Sequence, residues 1–365
     1  MMSQTTQADG ISMITGYSLA TIGAKHVIDH ATPRVCQAIE QMELSDATLF
    51  TLADMGCADG GTSVDMIRAA VQTIQQANSK KPIAIIYSDQ LRNNYNALFQ
   101  VVYGNTAINS YIHNIENVSI FASATSFYQQ IVPTGSLNLG FSATAMHWLS
   151  RKPGDISNHV QAVGAQGEEL EAFAQQGLKD WETILLARAP ELTSGGRLVL
   201  VNFCKDEAGH YLGHTGGVNM FDTFNEIWLS FIDDGTITPE EYRRMTLPQY
   251  YKTVDEFAAP LTNPDNPVYQ AGLRLESIET HTVKCPYAAD FTQHGDAAAF
   301  ANAYIPTIRS WNESIFYNGL SEDRSAEARR DIINRYYDSY EALVRNNPEG
   351  HGMDYVHAYM TVVKV

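Results

Sequence analysis

The order of apolar and polar positions along the chain predicts buried strands that alternate with helices. Before residue 205, short apolar runs end in turns and are separated by segments with helical spacing. The runs span residues 48–53, 82–89, 118–124, 136–142 and 194–203. Alternation of this kind predicts an α/β fold, a mainly parallel Rossmann-like sheet with helices on both faces that binds its ligand at the carboxyl ends of the strands.

The pattern changes after residue 205, where helical spacing dominates. Helices are predicted over residues 221–232, 239–244, 254–261, 297–316 and 325–344, with late strands over 274–285 and 355–365. We expect the helical insertions to form an α-helical cap over the carboxyl edge of the sheet. The predicted parts are an N-terminal arm closing the ligand site (1–45), an α/β core (46–210, 265–290 and 355–365) and a cap shaping the pocket (211–264 and 291–354).

Composition and charge narrow the possible partners. The chain has 365 residues, 44% of them hydrophobic, and a formal net charge of −17. A strong acidic excess argues against nucleic-acid binding and against an anionic membrane surface. Four widely spaced cysteines, a polar start without a signal-peptide core and the lack of a long apolar segment predict a cytoplasmic protein with reduced thiols.

A glycine-rich turn after the first apolar run is the main candidate ligand site. The spacing Gly56-x-x-x-Gly60 differs from the Gly-x-Gly-x-x-Gly of dinucleotide folds, and the Lys-Ser/Thr of a phosphate loop is missing. Asp54 would repel a phosphate but suits a cationic ligand. Cys57 in the same turn is interpreted as a small buried residue rather than a nucleophile.

Two further strand ends complete a candidate nucleotide site. Asp89 ends the second apolar run, where an acidic residue accepts hydrogen bonds from ribose hydroxyls; the alternative is a helix N-cap. Ser126 and Phe127 follow the third run and could hydrogen-bond to and stack on an adenine. A ligand with ribose, adenine and a cationic amino-acid part is S-adenosylmethionine.

The chain resembles the SABATH family of methyltransferases, the plant-type carboxyl methyltransferases and their N-methylating relatives. The most specific matches are the segments Met146-His-Trp-Leu-Ser150 and Ser88-Asp-Gln-Leu-Arg-Asn-Asn-Tyr-Asn-Ala-Leu-Phe99. Further matches, in chain order, are residues 17–24, 53–60, 126–128, 235–237, 247–250 and 309–313. The resemblance spans nearly the whole length and implies a class I methyltransferase fold, S-adenosylmethionine as cofactor, a small-molecule acceptor and a homodimer.

The resemblance also implies roles for individual residues. Cofactor contacts fall on Tyr17, Thr21, Asp54, Gly56, Gly60, Asp89, Gln90, Ser126 and Phe127. His147 and Trp148 are the expected catalytic residues, acting as donors that orient the acceptor; each could instead be core packing. The acceptor pocket is expected to include Ala24, Lys25, Thr144, Phe221, Trp228, Ile308, Trp311 and Tyr355 besides His147 and Trp148.

Two departures from the family pattern affect the expected chemistry. The family glutamine that helps hold a carboxylate falls on Ala24, with Lys25 beside it. Either Lys25 supplies the anion contact, or the acceptor is not a carboxylate. A metal-contacting stretch of many relatives is replaced by residues 243–246, Arg-Arg-Met-Thr, so we expect no magnesium.

Three functions are therefore compatible with the sequence. The first is methyl transfer to the carboxylate of a small aromatic or lipophilic acid, in line and without a general base. The second is the same transfer to a nitrogen or hydroxyl. The third is a non-catalytic binding protein on the same fold.

Overall fold

The computed structural model describes residues 16–44 and 49–365, and contains one mixed eight-stranded sheet. The main path has the order β3-β2-β1-β4-β5-β8-β7, and β6 pairs with β5. The strands are β1 (Phe50–Met55), β2 (Ile83–Ser88), β3 (Val118–Ser123), β4 (Leu137–Ala143), β5 (Leu192–Lys205), β6 (Lys252–Thr253), β7 (Leu273–Val283) and β8 (Tyr355–Lys364). The predicted α/β, Rossmann-like fold is confirmed. The predicted arm before residue 16 and the start of the first run, at residue 48, lie outside the described residues.

The strand directions explain where a ligand can bind. β1 pairs in parallel with β2 and β4, and β4 with β5, whereas β8 is antiparallel to both β5 and β7. Every residue of β1 is buried, as expected for a central parallel strand covered on both faces. The carboxyl ends of β1, β2 and β4 therefore meet at one edge of the sheet.

Helices cover both faces of the sheet and extend beyond its carboxyl edge. They are α1 (Tyr17–Ala20), α2 (Ile22–Glu40), α3 (Val64–Ala77), α4 (Tyr95–Val102), α5 (Gly167–Arg188), α6 (Met220–Asp233), α7 (Pro239–Arg244), α8 (Val254–Thr262), α9 (Pro267–Gln270), α10 (Pro286–His294), α11 (Ala297–Gly319) and α12 (Ala326–Asn346). α9 and α10 were not among the helices expected after residue 205. Among the described helices, none is long and apolar enough to cross a membrane.

Alternate residues of the strands feed two separate cores. Leu52 of β1 and Val199 of β5 belong to the core that contains α2 and α3. Ala53 and Leu198, their chain neighbours, belong to the opposite core with α5 and α8. Because successive strand side chains point to opposite faces, this two-residue alternation produces the three-layer arrangement.

The first of these cores continues into the helices beyond the sheet. Phe224 and Trp228 of α6 pack with Phe316 of α11 and Tyr336 of α12. The Trp228 and Tyr336 rings stack with centroids 4.2 Å apart. The helices after residue 205 are therefore joined to the core by a continuous aromatic cluster, which places their inner side chains near the end of the sheet.

Candidate active site

The turn after β1 needs glycine for steric reasons. Gly56 has φ 79° and Gly60 φ 73°, values that residues with a side chain rarely adopt. A Cβ on Gly56 would lie 2.5 Å from the Cβ of Ala145. The absence of a side chain at Gly56 therefore lets the turn, called the cradle below, approach the loop that follows β4, and Gly56 and Ala145 line the same pocket.

Asp89 fixes the shape of this turn from the neighbouring strand. Its carboxylate accepts the backbone N–H of Ala58 and that of Gln90, each at 2.7 Å. Ala58 itself has φ 49°, a strained value for a residue with a Cβ. The N-cap of α4 is Asn94, whose side chain accepts the N–H of Ala97, so the alternative interpretation of Asp89 as that cap is wrong.

Asp54 is a buried acid beneath the turn. Ser63 donates to its Oδ2 at 2.6 Å. Burial raises the pKa of Asp54 to about 7, with a smaller increase from the charge of Asp89, while the Ser63 hydrogen bond lowers it. Asp54 can therefore change protonation state near neutral pH, and a cationic ligand group beside it would favour the ionised form.

These strand ends surround a first pocket of about 1000 Å³, counting the part open to solvent. It brings together most of the predicted cofactor residues, namely Tyr17, Asp54, Gly56, Asp89, Gln90, Ser126 and Phe127. Gly60 packs behind the turn against Tyr87 and Leu98 and does not line it. Gln90 also offers a buried Oε1 with no partner among the described residues, which suits a donor such as an adenine amino group.

A second, smaller pocket adjoins the first. Tyr17, Thr144 and Trp148 line both pockets. The second pocket also contains Thr21, Ala24, His147, Phe203, Leu212, Gln249, Trp311, Met353 and Tyr355. Trp148 thus stands at the junction, where a group from one ligand could meet a group from another. Thr144, with φ 55°, is held at the same junction in a strained backbone conformation.

Four residues expected in the acceptor pocket lie elsewhere. Lys25 makes ion pairs with Asp29 at 2.8 Å and Asp65 at 2.9 Å and does not line either pocket. Phe221, Trp228 and Ile308 are fully buried in the cap core and line neither pocket. The sequence placed Phe221, Trp228 and Ile308 on helices after residue 205, but it could not tell which face of each helix meets the pocket.

Sequence reasoning also missed several lining residues. In the second pocket these are Phe203, Leu212, Gln249 and Met353. In the first they include Cys57, Ala58, Asn93 and Tyr128. The match at residues 247–250 was a signal for Gln249, but nothing in the local sequence indicated that this segment returns to the sheet edge.

His147 is a neutral residue in this site. Burial lowers its pKa well below the usual value, and the nearby His357 and Lys252 lower it further. Its ring meets Phe203 edge to face, with centroids 4.8 Å apart, and its Nδ1 has no partner among the described residues. A histidine with a strongly lowered pKa is a poor general base near neutral pH.

The arm is fastened across both pockets. The Ser18 hydroxyl and backbone N–H both donate to the carboxylate of Asp59 in the glycine turn. At the other end of α1, the carbonyl of Ala20 accepts hydrogen bonds from Tyr287 of α10 and Thr307 of α11. The segment around α1 therefore connects the glycine turn with α10 and α11, and it carries Tyr17 and Thr21 to the pockets.

A buried ion pair supports the loop that carries Ser126 and Phe127. Arg188 pairs with Glu191 at 2.5 Å, and both side chains are completely buried. Arg188 also donates to the carbonyls of Phe127 and Gln129 at 2.6 and 2.5 Å. Glu191 accepts the N–H of Ile131 at 2.5 Å, so the pair is satisfied by the loop itself.

Comparison with known proteins decides the family. The sequence model of one protein family, the SAM-dependent carboxyl methyltransferases, matches residues 12–364 of this chain. The chain belongs to this family. It is thus an S-adenosylmethionine-dependent methyltransferase of the SABATH type, and S-adenosylmethionine is its cofactor.

Individual relatives are distant. The chain is 27% identical to a probable S-adenosylmethionine-dependent methyltransferase of Arabidopsis thaliana, over 66% of this chain and 71% of the relative. It is 23% identical to 3,7-dimethylxanthine N-methyltransferase 2 of Coffea arabica, over 77% and 74% of the two chains. A solved structure of loganic acid methyltransferase with SAH superposes with a TM-score of 0.75, covering 95% of this chain and 96% of that one at 19% identity.

The first pocket fits the cofactor of this methyltransferase family. Its lining includes the buried acid Asp54, whose ionised form would suit a cationic amino group, the carboxylate of Asp89 and the unpartnered Oε1 of Gln90. Gly56 also lines it, at a position where a Cβ would collide with Ala145. Among the described residues, no cluster of three or more His, Cys, Asp or Glu side chains could hold a metal ion.

Proposed function

We propose that this methyltransferase esterifies the carboxylate of a small aromatic or lipophilic acid. The observation that carries the proposal is the second pocket, which is walled by Phe203, Leu212, Trp311 and Met353 and opens onto the first pocket beside Trp148. Such a wall suits a planar or lipophilic body. The indole N–H of Trp148, which makes no hydrogen bond to any described residue, is available for the acceptor's polar end.

The residues of the first pocket would hold the cofactor, with Asp54 near its amino group, Asp89 at the ribose and Ser126 with Phe127 at the adenine. The cofactor supplies a methyl group on a sulfonium, so an acceptor oxygen gains the carbon–oxygen bond as the carbon–sulfur bond breaks. The two pockets meet at Tyr17, Thr144 and Trp148. These residues would orient the acceptor and exclude water, and positioning of this kind can contribute roughly 7–11 kcal/mol.

No residue has to remove a proton from a carboxylic acid. A carboxyl group with a pKa near ~4 is already ionised at neutral pH. The neutral His147 then acts as an orienting residue and not as a base, in agreement with its strongly lowered pKa. His147 lines the second pocket, and its buried Nδ1 has no hydrogen-bond partner among the described residues.

A nitrogen or hydroxyl acceptor is the second candidate. It is favoured by Ala24, which lines the second pocket where the family has a glutamine, and by the similarity to an N-methylating relative. A hydroxyl acceptor would need a base, which the neutral His147 supplies poorly.

The experiment is a product screen. The purified protein is incubated with S-adenosylmethionine and panels of acids, phenols and xanthines, and products are followed by mass spectrometry before and after mild alkali. Acid-dependent products that are lost in alkali are methyl esters and support the proposal. Products formed only from phenols or xanthines, and stable to alkali, would replace it with the second candidate.

A further inference from the structure

We propose that Gln249 is the second donor for the acceptor group, acting beside Trp148 in place of a glutamine at position 24. The inference deepens the proposed function and rests on it. Gln249 lies about a hundred residues from Trp148 in the chain, yet both line the second pocket. Its role would be to fix the acceptor carboxylate and so to determine specificity.

The backbone places the two side chains next to each other. Trp148 and Gln249 form an isolated antiparallel bridge. The hydrogen bonds flank this pair, from Leu149 N–H to Pro248 at 2.8 Å and from Tyr250 N–H to His147 at 3.1 Å. Trp148 and Gln249 are therefore a non-hydrogen-bonded pair, the type in which facing residues approach most closely and project from the same side.

The Gln249 amide is oriented with its donor end free. Tyr251 donates its hydroxyl hydrogen to Oε1 of Gln249 at 3.0 Å. Gln249 is only 1% exposed, and its Nε2 donates to no group within the described part of the chain. No protein group accepts a hydrogen bond from this nitrogen, so an anionic oxygen entering the pocket could accept one.

The hydrogen-bond donors that line the second pocket are uncharged. Neither of the two pockets is lined by a lysine or an arginine from the described residues. Lys25, the residue that the sequence suggested for an anion contact, is already paired with Asp29 and Asp65. The Trp148 indole can only donate, and the Gln249 amide nitrogen carries two donor hydrogens. Together they match the two oxygens of one carboxylate.

Ala24 provides the means to test the assignment. Its methyl side chain lines the same pocket and can offer no hydrogen bond. The substitution Ala24→Gln would present an amide to the same pocket from α2, whereas Gln249 presents its amide from the loop before β6. If Gln249 has taken over this task, the two positions should be interchangeable.

The test uses the acid that gives most ester in the product screen of benzoate, salicylate, indole-3-acetate and decanoate. In Gln249→Met, which keeps the length but removes the donor, we expect kcat/KM for that acid to fall roughly 10- to 100-fold. The affinity for S-adenosylmethionine in calorimetry should stay at the wild-type value. Adding Ala24→Gln to this variant should restore much of the loss.

Tyr251→Phe is the matched control for orientation. It keeps the Gln249 amide but removes the hydroxyl that holds Oε1, so we expect a smaller loss, seen mainly in KM. Thermal unfolding of each variant shows whether a loss comes from misfolding, and rescue by Ala24→Gln would not follow from a misfolded Gln249→Met protein.

The outcomes separate this inference from the proposed function. If wild type makes no ester from any acid, the proposed function fails, and the carboxylate role of Gln249 fails with it. If wild type makes ester but Gln249→Met stays within about twofold of it, the inference alone is overturned. A parallel loss of cofactor affinity, or no rescue in a folded double variant, would also overturn it.

Discussion

Asp54 lines the first pocket and is the acid whose charge state we expect to govern cofactor binding. It is 4% exposed, and burial raises its pKa from an ordinary 3.8 to about 7. A difference of about 3 in pKa corresponds to ~4 kcal/mol between its protonation states. Ionisation of Asp54 therefore destabilises the ligand-free protein by up to about this free energy, and a cationic amino group beside Asp54 would offset the destabilisation.

The sign of the stability change follows from the raised pKa. The folded protein holds the Asp54 proton more tightly than the unfolded chain, so protonated Asp54 stabilises the fold. This stabilisation is fully present below about pH 4 and is lost as the pH rises through about 7. Asp54→Asn keeps an oxygen for the Ser63 hydroxyl and cannot ionise. We compare the free energies of unfolding of the two proteins in urea, without ligand. Between pH 5 and pH 8, the difference should change by about 2–4 kcal/mol in favour of the variant.

Cofactor binding should change in the opposite direction. Wild type should bind S-adenosylmethionine more tightly as the pH rises from about 5.5 to 7, releasing a proton from Asp54, because the ligand amino group stays cationic over this range. Calorimetry in two buffers of different ionisation enthalpy measures that proton. Asp54→Asn should bind more weakly and without proton release.

The matched control is Ser63→Ala, which removes the hydrogen bond that lowers the Asp54 pKa. It should move the binding profile to higher pH without abolishing it. The reasoning is refuted if wild type and Asp54→Asn show the same affinity and the same pH dependence, since Asp54 would then neither ionise in this range nor meet the charge of the ligand.

Three further predictions concern the acceptor and the supporting loop. Trp148→Phe keeps an aromatic ring but loses the indole N–H, so kcat/KM for the acid should fall roughly 10-fold or more while calorimetric cofactor affinity is spared; equal losses of both would contradict the role. Arg188→Leu leaves Glu191 as an unpaired buried charge and should lower the free energy of unfolding by about 3–5 kcal/mol in urea; an unchanged midpoint would argue against this. Lys25→Met should alter kcat/KM by no more than about threefold, since Lys25 is half-exposed and already paired; a large loss would return the anion contact to Lys25.

Local patterns in the chain were enough for the core of the fold and for the cradle. Strand–turn–helix periodicity placed Asp54, Gly56 and Asp89 at strand ends, and parallel strands bring such ends to one edge of the sheet. The structure collects them with Ser126 and Phe127 around one pocket. Each of these residues lies within a few positions of a strand end, so its place is decided by short-range structure.

Only the tertiary structure decided the acceptor pocket. Phe221, Trp228 and Ile308 lie on helices with apolar residues on several sides, and packing of α6, α11 and α12 turned them into the cap core. Lys25 forms ion pairs with acidic residues of α2 and α3 and does not line either pocket. Gln249 reached the site through a bridge to Trp148 that joins distant parts of the chain. Periodicity determines which residues are buried together along one element, whereas contacts between elements distant in sequence determine which of them meets the acceptor.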